Sequence, residues 1–238
     1  MIAVWFSCGA ASAAALKLTL ERFPGEDVRA INQPIKEEHP DNRRFLRDVE
    51  EWTGRTVEVI GSDKYETVDD VFEQCRYMAG IAGARCTVEM KKRPREAYQR
   101  LDDIHLFGYT ADEFRRAERF EDNNPDLRVE WMLIDHDIVK RECLAMLDKA
   151  GIRLPEMYRL GFDHNNCIGC VKATSPTYWQ RVHIHFPEVF ARRVRQSRLL
   201  HVRLAKVGGE RVFLDELKGD EPGFFEEIEC GPVCQGRF

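Results

Sequence analysis

Residues 2–12 read IAVWFSCGAAS: an apolar run, Ile2 to Phe6, that stops at a loop made only of small residues, Ser7 to Ser12. No Lys or Arg precedes the run, and Ser7, Cys8 and Gly9 break it after too few residues for a secretory signal core. The stretch therefore reads as a buried strand, a small-residue loop and a helix from about Ser12 to Phe23. A chain that opens on strand, loop and helix asks for a parallel sheet, because the next strand must return on the far side of that helix.

The pattern repeats outward from this point. Short apolar strands are predicted at Val28–Ile31, Thr56–Ile60, Ile104–Gly108 and Glu130–Ile134, each followed by a helical pattern, the first of these running through Phe45, Val49 and Trp52. The fold class is α/β, a doubly wound, mostly parallel sheet with helices on both faces. Ligands of such sheets sit beyond the carboxyl ends of the strands, where Ser7 to Ser12 lie. From about Pro155 the alternation stops. A turn-rich, Cys-containing segment (Leu154–Pro176) is followed by a helix through Trp179–Arg198, a hairpin in LAKVGGERVFLDEL turning at Gly208-Gly209, and the tail EIECGPVCQGRF. The expected organisation is a nucleotide-binding core over residues 1–154, with residues 155–238 packed on the same domain.

Composition narrows the function classes. The 238 residues are 43% hydrophobic, enough for a substantial core, and no stretch approaches the ~20 apolar residues of a membrane span. The net charge of −5 gives no global attraction to nucleic acid, so any such binding needs a local patch. Eight cysteines without a secretory signal point to a reducing, cytoplasmic setting, where Cys groups are more often metal ligands or redox centres than bridges.

The loop offers unhindered backbone N–H groups backed by the positive end of a helix dipole, a place for phosphate or sulfate. The Ser7 and Ser12 hydroxyls add donors, and Gly9 lets the backbone approach an anion. A tight strand-to-helix turn with no ligand is the alternative reading. SCGAAS resembles the PP-loop shared by ATP pyrophosphatases and the phosphoadenylylsulfate (PAPS) and adenylylsulfate reductase family, with Ser7, Gly9 and Ser12 matching and Cys8 and Ala11 departing. Ala11 replaces an acidic residue that helps organise metal-bound triphosphate in the ATP-using branch.

Further segments carry the same resemblance. ARCTVEMKKRPREAY is similar to the family segment Cys-Cys-x-x-Arg-Lys-x-x-Pro, with Cys86, Lys91 and Pro94 in register and Thr87 in place of the second cysteine. NNCIGC supplies Cys167 and Cys170. The resemblance implies that Cys86, Cys167 and Cys170 hold a [4Fe–4S] cluster; zinc is the lesser alternative, and a Cys-x-x-Cys redox pair also stays open for the bare motif. The fourth ligand is either open or one of Cys230 and Cys234. Cys75 and Cys143 fall at interior-facing helical spacing and read as packing residues.

LFGYTADEFRRAERF resembles the family's strand-Gly segment, adding Gly108, Glu113 and Arg116 to a nucleotide- or sulfate-binding set of Ser7, Cys8, Gly9, Ala10, Ala11, Ser12 and Lys91. Thr110 and Ala111 stand where PAPS reductases place paired arginines. Tyr158, Gly161 and Phe162 match the run leading into the cysteine turn. ECGPVC resembles the reductase tail, implying Cys230 as the nucleophile toward the sulfur of the bound nucleotide and Cys234 as the resolving thiol; a frayed tail or a zinc pair is the alternative. The resemblance spans residues 2 to about 185, and 229 to 234.

The resemblance implies an oxidoreductase of sulfur metabolism, acting on an adenine sulfonucleotide with a thiol electron donor. Two other readings stay open: ATP-dependent, cluster-dependent sulfur insertion into tRNA or DNA, and a non-catalytic iron–sulfur accessory or sensing module. For the nucleic-acid reading the surface is the run at Arg192, Arg195 and Arg198, which otherwise is a solvated helix face.

Overall fold

The computed structural model describes residues 1–81 and 83–224. Cys230 and Cys234 lie outside the described residues. The chain begins β1 (Ile2–Trp5), α1 (Ala10–Arg22), β2 (Val28–Asn32), α2 (Asn42–Thr53), β3 (Val57–Val59) and α3 (Val68–Cys75). A two-residue hairpin, β4 (Ala79–Gly80) and β5 (Gly83–Ala84), leads into one helical run: α4 (Arg85–Thr87), a π-helical turn over Val88–Lys92, and α5 (Arg93–Tyr98). Then come β6 (Ile104–Phe107), α6 (Phe114–Asn123), β7 (Arg128–Glu130), α7 (Met132–Asp135), α8 (Lys140–Lys149) and α9 (Glu156–Arg159). There follow α10 (Pro176–His185), α11 (Pro187–Leu199), β8 (Ala205–Val207), β9 (Glu210–Val212) and a 3-10 turn at Leu214–Glu216.

The chain divides into two compact units. The first, residues 1–34, 40–61 and 94–156, holds the five-stranded sheet in the order β3-β2-β1-β6-β7 with every pairing parallel. Val4 sits opposite Ala30 on one side and Leu106 on the other. The central strand β1 is wholly apolar because both of its faces are covered, so it needs no alternation with polar residues, while the edge strands β3 and β7 carry Glu58, Arg128 and Glu130. Ile2, Val4, Phe6, Val28, Ala30 and Leu106 build a core with Leu16, Phe45 and Val49 from α1 and α2. The winding runs outward from β1 to β3, then restarts on its other side with β6, so the crevice between the ends of β1 and β6 is the topological switch point.

The second unit comprises the described residues of 35–39, 62–93 and 157–224. Its core gathers Phe72, Met78, Met90, Met157, Phe162, Tyr178, Trp179 and Val182 around the two cysteines of the 167–170 turn. The β8–β9 hairpin turns at Gly208 and Gly209, at φ 57° and 94°. Two left-handed residues in succession are what a twist-matched two-residue hairpin demands.

Two expected elements take a different form. The strand expected at Glu130–Ile134 ends at Glu130, and Met132 and Leu133 are buried by the short helix α7 instead. An apolar run this short satisfies either structure, and periodicity cannot separate them. The helix expected through Trp179–Arg198 is two, because Pro187 lacks an N–H and holds Phe186 out of the helical region at φ −141°, ψ 60°. Among the described residues no helix is long and apolar enough to cross a membrane.

Candidate functional site

The loop after β1 closes on itself through one buried side chain. Ser12 Oγ accepts from the Ser7 N–H at 3.1 Å and lies 3.3 Å from Ser7 Oγ, while donating to Gly9 O at 3.0 Å. Gly9 is the N-cap of α1 at φ −98°, ψ 160°, with no side-chain cap and no acidic residue in the first turn. The N–H groups of Ala10, Ala11 and Ser12 are therefore left without intrahelical acceptors at the positive end of a 13-residue helix. Ala13 N–H already serves Gly9 O at 3.1 Å.

The left-handed residue of this loop is Cys8, at φ 57°, a conformation costing a non-glycine residue about 1–2 kcal/mol. Its side chain is turned inward: Sγ lies 3.9 Å from the Asn42 carbonyl and accepts from Asn32 Nδ2 at 3.6 Å. Asn32 Nδ2 also donates to Phe6 O at 2.8 Å. Cys8 thus offers a ligand its backbone and keeps its thiol in the core. Asn32 escaped the sequence reading; its one signal was a polar residue closing the apolar strand Val28–Asn32.

Gly108, at the end of β6, is pressed against the loop. A Cβ there would lie 2.5 Å from Ser12 N and 2.6 Å from Ser12 Cα, so only glycine lets β6 end beside the start of α1. One turn later, Glu113 accepts from Thr110 N and Thr110 Oγ1, each at 3.1 Å, and pairs with Arg116. The Arg116 guanidinium lies 4.0 Å from the Tyr109 ring centroid, and Tyr109 stacks on Trp131 at 5.1 Å. Glu113 is thereby occupied in holding its own loop and Arg116. Ser7 to Ser12, Gly108, Glu113 and Arg116 all belong to the first unit; Lys91 belongs to the second, where its ammonium makes a buried ion pair with Glu38 at 3.2 Å.

In the second unit Cys167 and Cys170 are buried in one apolar cluster, and Cys86 packs against it. Gly169 between them takes φ 70°, the left-handed value required at the third position of a type II turn. The Tyr178 hydroxyl accepts from Cys170 N at 2.7 Å and donates to Cys167 O at 3.1 Å, and burial pushes its pKa well above the ordinary value. Arg193 Nε donates to Gly169 O at 3.0 Å. Tyr178 also lines a cleft of about 310 Å³ with Phe162, His164, Arg181 and Phe224. Tyr178 was not singled out from the sequence; Arg193 belongs to the basic run read there as a solvated helix face or a phosphate-binding surface, and the structure buries it against the turn instead.

Among the described residues no three His, Cys, Asp or Glu side chains are placed to hold a metal ion. Cys86, Cys167 and Cys170 share the large core of the second unit, which by itself does not bring their sulfurs into one ligand set, and the observation that bears on a thiophilic group is Thr87. That residue, next to Cys86, is 2% exposed, and its hydroxyl has no hydrogen-bond partner among the described residues. A buried hydroxyl left unsatisfied costs about 1–3 kcal/mol, which a sulfur-rich ligand beside it would offset. Cys143 is a packing residue, its thiol pushed up to about 12 by burial, and the half-buried Cys75 packs on the second core.

The basic run is largely compensated within the second unit. Arg193 is buried and bonded to Asp69 and Gln196; Arg192 pairs with Asp69 at 3.1 Å. Arg198 pairs with Asp215 at 2.9 Å and Glu216 at 3.0 Å, lying 3.8 Å from the Phe213 ring centroid, and Arg195 is exposed.

No protein-family model matches the chain. No curated protein matches it. Among solved structures the chain is similar to a phosphoadenylyl-sulfate (PAPS) reductase from Candida auris, crystallised as a phosphate complex, at 12% identity and a TM-score of 0.48, covering 69% of this chain and 81% of that one.

Proposed function

We propose that this chain is an enzyme of reductive sulfur chemistry that binds an adenine nucleotide or sulfonucleotide at Ser7 to Ser12. The observation that carries the reading is the loop at the sheet's switch point: an uncapped α1 N-terminus, ringed by Ser7 and Ser12 and approached by Gly108. Backbone donors and a helix dipole stabilise an anion there by up to ~2 kcal/mol. Arg116, held by Glu113 over Tyr109, supplies a cation in the same unit.

Cys86, Cys167 and Cys170 hold a [4Fe–4S] cluster in this reading, with zinc the lesser alternative. Bound there, a cluster supplies iron sites whose potential is set by thiolates and the hydrogen bonds around them. The chemistry on the nucleotide belongs to Cys230. Its thiolate attacks the sulfur of the sulfonucleotide, an S–S bond forms as the S–O bond to phosphate breaks, and the nucleotide leaves with that electron pair. A second thiolate, Cys234 or an external donor, attacks Cys230 Sγ; sulfite leaves, and a thiol donor reduces the disulfide.

A second reading, ATP-dependent sulfur insertion into tRNA or DNA, is favoured by one observation: beside Cys86, Thr87 places a hydroxyl rather than a thiol, with no hydrogen-bond partner among the described residues, in keeping with an iron open to sulfide. The pairing of Arg192 and Arg198 with carboxylates weighs against a nucleic-acid face at α11.

The test is anaerobic purification with iron and sulfide quantification, then equilibrium binding of ATP, adenylylsulfate and PAPS. Sulfonucleotide binding, sulfite release and loss of turnover in Cys230→Ser with iron retained support the reductase. Selective ATP binding with no sulfonucleotide turnover moves the assignment to sulfur insertion. A cluster without nucleotide affinity leaves the accessory module.

A further inference from the structure

The loop from Ser7 to Ser12 is tied to the sheet by one side chain, that of Asn32 at the end of β2. Asn32 is 3% exposed, and its amide serves two places on the neighbouring chain. Nδ2 donates to Phe6 O at 2.8 Å, where β1 runs out, and to Cys8 Sγ at 3.6 Å, two residues further on. A carboxamide carries two hydrogens on one nitrogen and can supply both acceptors; a hydroxyl has one hydrogen and a carboxylate none. Asn32 is itself fixed by its backbone, pairing with Val59 and accepting from the Ile60 N–H at 3.0 Å. Cys8 is the left-handed residue of the loop, at φ 57°, where any side chain is strained. Its Sγ also lies 3.9 Å from the Asn42 carbonyl at the start of α2. The strained step is therefore held by its side chain, from β2 on one side and from α2 on the other.

We infer that Asn32 is the positioning residue of the nucleotide loop, holding Cys8 in the left-handed conformation from which the chain turns into α1. The inference rests on the reading of Ser7 to Ser12 as the nucleotide site. Each residue has only two soft dihedrals, so the φ of Cys8 decides how the chain meets α1. It thereby decides where the N–H groups of Ala10, Ala11 and Ser12 face relative to Ser7. Without the Asn32 amide, Cys8 relaxes toward negative φ and the loop loses its shape. Glycine at position 8 needs no such hold, because it takes a positive φ without strain.

The test uses the full chain in four forms: wild type, Asn32→Ala, Cys8→Gly and the double variant. ATP, adenylylsulfate and PAPS are titrated by calorimetry, and the alkylation rate of Cys8 is measured by mass spectrometry on the nucleotide-free protein. Cys143, buried in the same unit, is the internal reference for general opening of the fold. Asn32→Ala is expected to weaken whichever nucleotide the wild type binds by about tenfold or more, and to speed alkylation of Cys8 relative to Cys143. In the Cys8→Gly background the same substitution is expected to cost about threefold or less, a coupling that a general loss of packing would not produce. Affinity within twofold of wild type in Asn32→Ala, or equal losses in the two backgrounds, overturns the inference. Asn32→Leu, which fills the space without a donor, is read in the same way if the alanine variant does not fold. If the wild type binds none of the three nucleotides, the reading of the loop fails instead. The alkylation ratio alone then decides the inference: raised in Asn32→Ala it stands, unchanged it falls.

Discussion

Gly108 is the residue on which the proposed nucleotide site depends most directly. Alanine there would place a methyl carbon 2.5 Å from Ser12 N and 2.9 Å from the Ala11 carbonyl carbon, both backbone atoms that cannot rotate away. Overpacking of this kind costs about 1–3 kcal/mol, here by displacing the loop from β6. Gly108→Ala is expected to weaken nucleotide at least tenfold by calorimetry while the circular dichroism of the sheet persists; affinity within twofold of wild type would remove the loop from the binding site. His105 carries a different consequence. Trp5 Nε1 donates to its Nδ1 at 3.1 Å, which puts the proton on Nε2, and burial with the nearby charge of Arg95 lowers its pKa to about 4. The unfolded chain takes up that proton near 6.5 and the folded one only near 4, so stability is complete above pH 6.5 and falls between those values. The loss is ~3 kcal/mol at most. His105→Gln, which still accepts from Trp5, is expected to flatten that part of the urea-unfolding profile; an unchanged slope would show that other groups set it.

At the scale of elements, α3 shows how a short helix supports a distant turn. Thr67 Oγ1 accepts from Asp70 N at 3.0 Å while Asp70 Oδ2 accepts from Thr67 N at 2.8 Å, a reciprocal capping box. The first turn so fixed carries Asp69, whose carboxyl burial would raise but which the charge and hydrogen bond of Arg193 hold below the usual range. Thr67→Ala is expected to cost about 1 kcal/mol of unfolding free energy, and Thr67→Ser to recover most of it. Denaturation midpoints of the two variants check this; equal losses would mean that the methyl rather than the hydroxyl matters. The helical run from Arg85 to Tyr98 contains a π-helical turn at Val88–Lys92 directly after Cys86 and Thr87, and such turns recur at functional sites.

For the whole molecule, the two units have separate cores and separate candidate ligands. The first unit carries the loop and the second the cysteines, so each ligand stabilises the unit it binds by mass action. Amide hydrogen exchange should then separate them. Nucleotide is expected to slow exchange in α1 and at the end of β6, and iron–sulfur reconstitution to slow it in α4 and residues 165–175. Protection by reconstitution that appears only in the sheet would contradict the cysteine assignment.

Much of the first unit was legible in its sequence. A buried parallel strand needs apolar residues on both faces, and a loop that exposes backbone N–H groups needs small ones. IAVWFSCGAAS therefore states strand, loop and helix in eleven letters, and the parallel pairing, though not the strand order β3-β2-β1-β6-β7, follows from the alternation behind it. The paired glycines of the β8–β9 hairpin were equally plain, because few residues take two left-handed conformations in a row. The short strand β7 and the break at Phe186 were not. An apolar run of a few residues buries equally well as strand or helical turn, and a proline's effect depends on whether the preceding residue can leave the helical region without losing its packing. The tertiary structure alone decided which charges of the basic run are spent on partners far away in sequence, Arg193 on Gly169 and Asp69, and Arg198 on Asp215. It alone put the Tyr178 hydroxyl against the Cys167 carbonyl and the Cys170 N–H, and the Cys8 thiol in the core. Hydrogen bonds are short-ranged and directional, so their partners are set by the path of the whole chain and leave no local pattern in the residues that make them.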